Sequence, residues 1–246
     1  MQKSGTVFEA KNICSGNLVR NVSFHVRSGE VLGFAGLVGS GRTETMRAIF
    51  GADLMEKGEI IYLGQKVNFR TPKQAVKSGI GLLPEDRKRQ GLVLEQPIRV
   101  NTTLAAVDKG KNKLGFIDAK KEKGFVKDIL AQLSTKYNST EDNASSLSGG
   151  NQQKVALSKW LAADCKVIIL DEPTRGVDVG AKVEIYKNIN DLAAQGVAII
   201  MVSSEMPELI GMCDRVMVMR YGEVVGELRQ GEITESNLIA LEMGVA

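Results

Sequence analysis

Cysteine, histidine, aromatic residues and long apolar runs are all scarce in this chain of 246 residues. Its three cysteines, Cys14, Cys165 and Cys213, form no CxxC pair and leave one odd, so they read as buried or free thiols of a reducing compartment rather than a disulfide framework. The one histidine, His25, is expected on the exposed, polar side of an early strand, and no histidine stands in any motif described below. No apolar run approaches the ~18 residues of a spanning helix, and no signal peptide is visible at Met1. The expectation is a soluble chain that can still dock on a membrane protein. Charge of one sign is missing too. Lys+Arg 32 against Asp+Glu 29 gives +3, too balanced to argue nucleic-acid binding from charge.

What is present is core-forming material, 43% hydrophobic, enough for one large domain or a core with a subdomain. Residues 31–35, 80–83, 167–170, 197–202 and 216–219 are nearly continuous apolar segments, as strands buried on both faces of a parallel sheet are. Between them Val126, Ile129, Leu130 and Leu133 recur at helical spacing. Leu157, Trp160 and Leu161 do the same, as do Val183, Tyr186, Ile189 and Leu192. Such alternation predicts an α/β fold. Residues 6–10 and 22–26 read as edge-type strands, with Val22, Phe24 and Val26 on one face. Residues 84–161 lack strong strand signals and read as a helical subdomain inserted into the sheet core. Residues 141–146 read as a polar loop, and 232–243 as a terminal helix. The expected organisation is one domain over 5–246, with 5–83 and 162–246 forming the core and 84–161 the helical subdomain. No internal repeat is visible.

Three motifs carry chemistry. Gly36, Leu37, Val38, Gly39, Ser40, Gly41, Arg42 and Thr43, followed by Glu44, come after an apolar strand and open a helix. That is the context of a phosphate-binding P-loop, whose glycines let backbone N–H groups converge on phosphate oxygens at a helix N-terminus. A glycine-rich turn with no ligand is the plain alternative. Thr43 is placed to bind Mg²⁺. Arg42 stands where the motif has lysine, and its larger planar fork is expected to disturb γ-phosphate geometry. The second motif is Leu147, Ser148, Gly149, Gly150, Asn151 and Gln152. The third is the apolar strand ending in Asp171 and Glu172, the first expected on Mg²⁺ and the second beside an attacking water. Taken alone, such a pair reads as a helix N-cap.

Read together, GLVGSGRTE, LSGGNQQK, VIILDEPTRGVDVGAK and IIMVSSEMPEL resemble the C-terminal ATPase half of the tandem ATP-binding cassette (ABC) subunit of bacterial monosaccharide importers of the ribose, galactose and xylose type. The resemblance covers most of residues 5–244. It implies a P-loop NTPase core with a mostly parallel sheet, an N-terminal antiparallel β edge and an inserted helical subdomain. It implies ATP and Mg²⁺ as cofactors. Glu172 would be catalytic, Ser204 would occupy the switch-histidine position, Glu85 the Q-loop position, and Asp178 would belong to the D-loop. The aromatic that stacks on adenine in this family has no counterpart in residues 13–19, and Phe8 and Phe24 read as core. The P-loop side thus departs from the family at Arg42, Glu85 and Ser204, while Leu147 to Gln152 keep the signature that contacts ATP held by a partner half.

The implied partners are an N-terminal homologous half on the same polypeptide, membrane permease subunits and, indirectly, a periplasmic sugar-binding protein, with no nucleic acid. The implied place is the cytoplasmic face of the bacterial inner membrane, as a peripheral subunit. Two other readings stand beside this one: a soluble ABC ATPase of translation or DNA repair, and a non-hydrolysing regulatory module. The charged run Asp86, Arg87, Lys88, Arg89 reads either as a solvated loop or as a contact for the permease. The sugar is not readable.

Overall fold

The computed structural model describes residues 5–110 and 118–245. Residues 111–117, within the expected helical subdomain, and Ala246, the expected end of the domain, lie outside the described residues. The chain divides into two compact units, Met1–Leu82 with Lys166–Glu172 and Ile189–Ala246, and Leu83–Cys165 with Pro173–Asn188.

The first unit holds two sheets. The first is antiparallel, with order β2-β1-β4-β5, built from β1 (Thr6–Ser15), β2 (Val19–Arg27), β4 (Lys57–Tyr62) and β5 (Gln65–Val67). The segment at 6–10 is therefore not an edge: β1 runs on to Ser15 and pairs on both sides. β4 and β5 carry no long apolar run, and sequence reasoning did not find them. The second sheet has order β10-β9-β3-β8-β7-β6, from β3 (Val31–Ala35), β6 (Ile80–Leu83), β7 (Val167–Asp171), β8 (Ala198–Val202), β9 (Arg215–Arg220) and β10 (Glu223–Arg229). β3 pairs parallel with β8 and β9, and β7 pairs parallel with β8, while β10 returns antiparallel on β9. Every residue of β3, β7 and β8 is buried, which is why these strands read as unbroken apolar runs rather than alternating ones.

Phe24 of β2 meets Phe34 of β3 edge-on at 4.9 Å and stacks with Phe8 at 6.0 Å. Such pairs add about 1 kcal/mol each beyond area burial, so both phenylalanines are core, as expected. His25 is half-buried rather than exposed. Its carbonyl accepts from Arg215, whose Nε also donates to buried Glu30 at 2.6 Å. Burial and the neighbouring Arg215 charge lower the imidazole pKa. α1 (Arg42–Phe50) follows β3, α2 (Pro72–Ser78) precedes β6, α7 (Met206–Met212) follows β8, and α8 (Glu235–Met243) is capped by Thr234, whose hydroxyl accepts from the Asn237 N–H.

The second unit is mainly helical: α3 (Ile98–Thr103), α4 (Ala119–Gln132), α5 (Gly149–Ala162) and the N-terminal part of α6 (Val179–Ala194). α4 starts on an Asp118 cap and buries Val126, Ile129 and Leu130, as the spacing predicts. α5 is buried nearly all round, including Trp160. Its charged residues survive because they are paired. Lys154 donates to the Ser134 carbonyl and to Glu184, and Lys159 donates to the Gly91 carbonyl while lying over the Trp160 ring. Burial pushes the Lys159 ammonium down to about 8. In α6 the buried positions are Ile185, Asn188, Ile189 and Leu192, while Val183 is exposed. Ile189 and Leu192 are inward as expected, but Val183 is not, and the buried stripe starts at Ile185.

Candidate functional site

Two constellations stand out, one in each unit. In the first unit β3 ends at Ala35 and the chain turns through Gly36, Gly39 and Gly41, at φ 145°, 81° and 97°. A β-carbon at Gly36 would lie 2.4 Å from the Met219 carbonyl oxygen, and one at Gly41 would lie 2.1 Å from that of Leu18. Only glycine fits either place. Leu37 and Val38 ride on the outside of the loop, exposed. α1 then opens at Arg42, with Gly41 as its left-handed cap, so its first N–H groups have no intrahelical acceptor. That is a cradle for an anion. Ser40 is buried, and its carbonyl accepts from the Gly222 N–H. Glu44 lies in the first turn of α1.

Thr43 leaves the first turn toward the end of β7, and its hydroxyl donates to Asp171 Oδ1 at 3.2 Å. Burial raises the Asp171 carboxyl to about 6, against the opposing pull of the Thr43 hydrogen bond. A hydroxyl and a carboxylate at this separation fit Mg²⁺, which takes one or two protein oxygens and fills its remaining positions with phosphate and water. No group of three or more His, Cys, Asp or Glu residues able to hold a metal occurs among the described residues.

Glu172 follows with φ 47°, a left-handed conformation that is uncommon for a residue with a side chain. Its N–H donates to the Val202 carbonyl, which fixes the end of β7 against the end of β8. Ser204, just past β8, then donates its hydroxyl to Glu172 Oε2 at 3.1 Å. Strand pairing thus brings together two residues that lie far apart in sequence.

Arg42, at the lysine position of the loop, is turned into the protein. It is buried, and its Nη1 donates to the Ser203 carbonyl at 2.7 Å, while Nη2 stands 4.0 Å from Glu172 Oε1. The short contact to Ser203 holds the guanidinium; the longer one to Glu172 adds a weaker attraction. A groove of about 320 Å³ borders this cradle, lined by Ser15, Gly16, Asn17, Leu18, Glu44, Asp53, Leu54 and Glu56. It contains no aromatic ring, but Leu18 and Leu54 are exposed in it. In sequence these two leucines carry no signal beyond an apolar residue beside turn residues.

The second unit holds the remaining predicted residues. Ser148 stands at the N-cap position of α5 without a side-chain cap bond and is exposed. Its Oγ accepts from Asn151 Nδ2, and Asn151 Oδ1 in turn accepts from the Lys136 N–H. Leu147 precedes it, half-buried. Gly149 and Gly150 are constrained by this chain's own packing. A β-carbon on Gly149 would lie 2.9 Å from Arg87 Nη2, and one on Gly150 would lie 2.4 Å from Ala181 Cβ. Gln152 is buried and donates to the Ala144 carbonyl, so it belongs to the support of the turn rather than to its outer face. Asp178 starts α6, and its carboxylate accepts from the Ala181 N–H. Glu85 is ion-paired with Arg175. Arg87 is a residue that sequence reasoning missed. The run from Asp86 to Arg89 is not a uniformly solvated loop: Asp86 caps a turn by accepting from the Lys88 and Arg89 N–H groups, and Arg87 is buried, donating to the carbonyls of Arg175 and Gly176.

A phosphate cradle, a hydroxyl–carboxylate pair and a glycine-flanked serine turn in one chain find their match in known proteins. The profile of the family described as ABC transporter matches residues 19–175. The chain belongs to the ABC transporter family. It is 54% identical over 96% of its length to a putative ribose/galactose/methyl galactoside import ATP-binding protein of Rhizobium meliloti (strain 1021), and 49% identical over 97% to a ribose import ATP-binding protein of Bacillus subtilis (strain 168). It covers 47% and 48% of those two proteins, so the chain spans about half the length of the curated relatives it matches. Among solved structures, the ADP conformation of an ATP-binding cassette of an ABC transporter aligns with TM-score 0.82 at 21% identity, over 98% of this chain and all of that one. A dimeric bacterial ABC transporter cassette aligns with TM-score 0.78 at 20% identity, over 91% of this chain and 98% of that one. The expected α/β P-loop fold is borne out. No helix among the described residues is long and apolar enough to cross a membrane.

Proposed function

We propose that this cassette binds Mg·ATP and works with a second cassette to power import of a monosaccharide through a membrane permease. The high identity to relatives named as ribose and galactose import ATP-binding proteins carries this reading. A permease fed by a periplasmic sugar-binding protein is the partner system, and the cytoplasmic face of the bacterial inner membrane is the place of work.

Within that reading the two constellations do different work. In the cassette's own site the glycine loop and the start of α1 hold the phosphates, Thr43 and Asp171 hold Mg²⁺, and Leu18 with Leu54 offer adenine an apolar but non-aromatic seat. Mg²⁺ there supplies charge neutralisation for phosphoryl transfer. Glu172 orients the attacking water and Ser204 fixes the Glu172 carboxylate. Turnover at this site is poor, because Arg42 is held by Ser203 rather than on the γ-phosphate, and because a serine stands at the switch position. Ser148, exposed at the start of α5, reaches the γ-phosphate of ATP held by the other cassette, with Leu147, Gly149, Gly150, Asn151 and Gln152 shaping the turn and Asp178 beside it. The chemical work of the pair is thus asymmetric.

The test is ATP turnover of the lone chain against turnover of the chain assembled with a second cassette and permease, together with sugar uptake by the assembly. The lone chain should turn over far below the ~10 per second of an ordinary enzyme, and assembly should raise the rate. A lone chain already working at that ordinary rate would refute the asymmetric reading.

A further inference from the structure

Arg87 occupies a position that no part of the proposed function uses. It leaves one turn of π-helix, Arg87–Gly91, and its side chain is buried. Its two terminal nitrogens diverge onto consecutive carbonyls, Nη1 to Arg175 at 2.7 Å and Nη2 to Gly176 at 3.1 Å. The same Nη2 lies against Gly149, so closely that a β-carbon there would stand 2.9 Å from it; the Gly176 carbonyl oxygen would be 3.2 Å from that β-carbon. One guanidinium therefore touches both turns: Ser148–Gly149 at the start of α5, and Arg175–Gly176 just before Asp178 and α6. A planar fork can bridge two carbonyls in this way, whereas an ammonium is a single point of charge.

The neighbouring contacts act in the same direction. Gly150 packs on Ala181 with no room for a methyl group, and Lys154 donates to Glu184. These join α5 to α6 further along, whereas Arg87 joins the turns that precede both helices, where the Gly176 carbonyl also abuts Gly149. Burial lowers its pKa without bringing it near neutrality, since arginine keeps its charge in proteins.

The geometry points to Arg87 as a positioning residue that holds the Ser148 turn and the Asp178 turn in one frame, so that both meet the other cassette's nucleotide together. This rests on the reading that Ser148 serves ATP bound to a second cassette. Arg87 touches no nucleotide itself; it acts through the two turns.

The experiment has two arms, each on Arg87→Lys and Arg87→Met, with Arg89→Met as the control because that side chain is largely exposed. In the first arm, amide hydrogen exchange is measured on the lone chain. Both variants should speed exchange about tenfold in residues 147–151 and 175–178 together, while residues 235–243 and the control stay unchanged. If only one of the two turns loosens, or neither does, the bridge is overturned. Should Arg87→Met fail to fold, Arg87→Lys, which keeps charge and stem, decides. In the second arm, ATP hydrolysis is measured in the assembly with an intact second cassette. Arg87→Lys should lower kcat about tenfold with KM held within about twofold, as expected when an interaction serving the transition state is loosened. Ser148→Arg is run beside it. If Ser148→Arg abolishes turnover and Arg87→Lys leaves kcat unchanged, the positioning role fails alone. If Ser148→Arg is harmless too, the reading of the signature turn fails and takes the positioning role with it.

Discussion

The Arg42 side chain donates to the Ser203 carbonyl at 2.7 Å, so the residue at the lysine position of the phosphate loop is committed to the protein rather than left for a ligand. Replacing it by lysine exchanges that bond for a shorter, freer ammonium. Arg42→Lys should bind ATP more tightly, by about tenfold, and lose about 1 kcal/mol of stability for the broken hydrogen bond. Titration with a fluorescent nucleotide and thermal melting measure the two effects. A loss of affinity would show instead that Arg42 turns onto phosphate when nucleotide arrives.

Ser204 holds Glu172 through one hydrogen bond from its hydroxyl to the carboxylate. Ser204→Ala should lower the residual hydrolysis of this site by about tenfold, an ordinary effect for a positioned group next to a catalytic carboxylate. Ser204→His in the Arg42→Lys background should raise it, because an imidazole adds a donor where charge develops. Both rates are read with the phosphate loop of the second cassette disabled. Equal rates for Ser204→Ala and the parent would remove Ser204 from the catalytic set.

Much of the first unit was legible because its strands are buried on both faces. Residues 31–35, 167–170 and 197–202 announce themselves as apolar runs, and β3, β7 and β8 lie there. β4 and β5 were not legible, since a half-solvated antiparallel strand such as KGEIIY shows only a broken alternation. The site followed the same division. Thr43, Asp171, Glu172 and Ser204 could be singled out because each sits at a fixed offset in a motif; strand order brings Thr43 against Asp171 and Ser204 against Glu172. The Arg42–Ser203 bond was not legible, because its acceptor is a backbone carbonyl, which carries no residue signal. Arg87 was hidden for the same reason: both its acceptors are carbonyls, and its neighbours in sequence are exposed charges. Glu85 illustrates the converse. Its place in the motif is readable, but its ion pair with Arg175 depends on a turn the sequence does not specify, and a pair so exposed contributes little to stability.

Asp171 gives the site a pH signature. Its carboxyl rises from an ordinary 3.8 to about 6, chiefly through burial. The folded state therefore binds this proton more tightly than the unfolded state does. Between about pH 4 and 6 stability falls as pH rises, and above about 6 the full cost of the buried carboxylate, about 3 kcal/mol, is present. Mg²⁺ binds the ionised form, so its affinity should drop below about pH 6 as the proton competes. Asp171→Asn should flatten the apo stability profile between pH 4 and 6 and abolish Mg²⁺-dependent stabilisation. Melting curves across pH, with and without Mg·ATP, check both. A parent and variant with parallel profiles would place the titration elsewhere.

Ser148 and Gly150 are close neighbours in sequence, yet they should fail in different ways. Ser148 is exposed, and its Oγ accepts from the Asn151 side-chain Nδ2. Ser148→Arg should leave the melting temperature nearly unchanged while abolishing hydrolysis at the other cassette's site, where charge must be neutralised in the transition state. Gly150 is buried with Ala181 Cβ 2.4 Å from where its own β-carbon would lie. Gly150→Ala must push α5 and α6 apart and should cost about 1–3 kcal/mol of stability by overpacking. Gly149→Asp is a poorer probe, because the new carboxylate would fall beside the Arg87 guanidinium and could pair with it. Thr43→Ala completes the comparison: it removes the partner of Asp171 and should weaken nucleotide binding at this cassette's own site, with a smaller loss of uptake than Ser148→Arg. The three variants are compared for melting temperature, ATP hydrolysis and sugar uptake in the assembly. Loss of all hydrolysis in Thr43→Ala, with hydrolysis retained in Ser148→Arg, would mean that this cassette's own site does the chemistry and the other is the poor one.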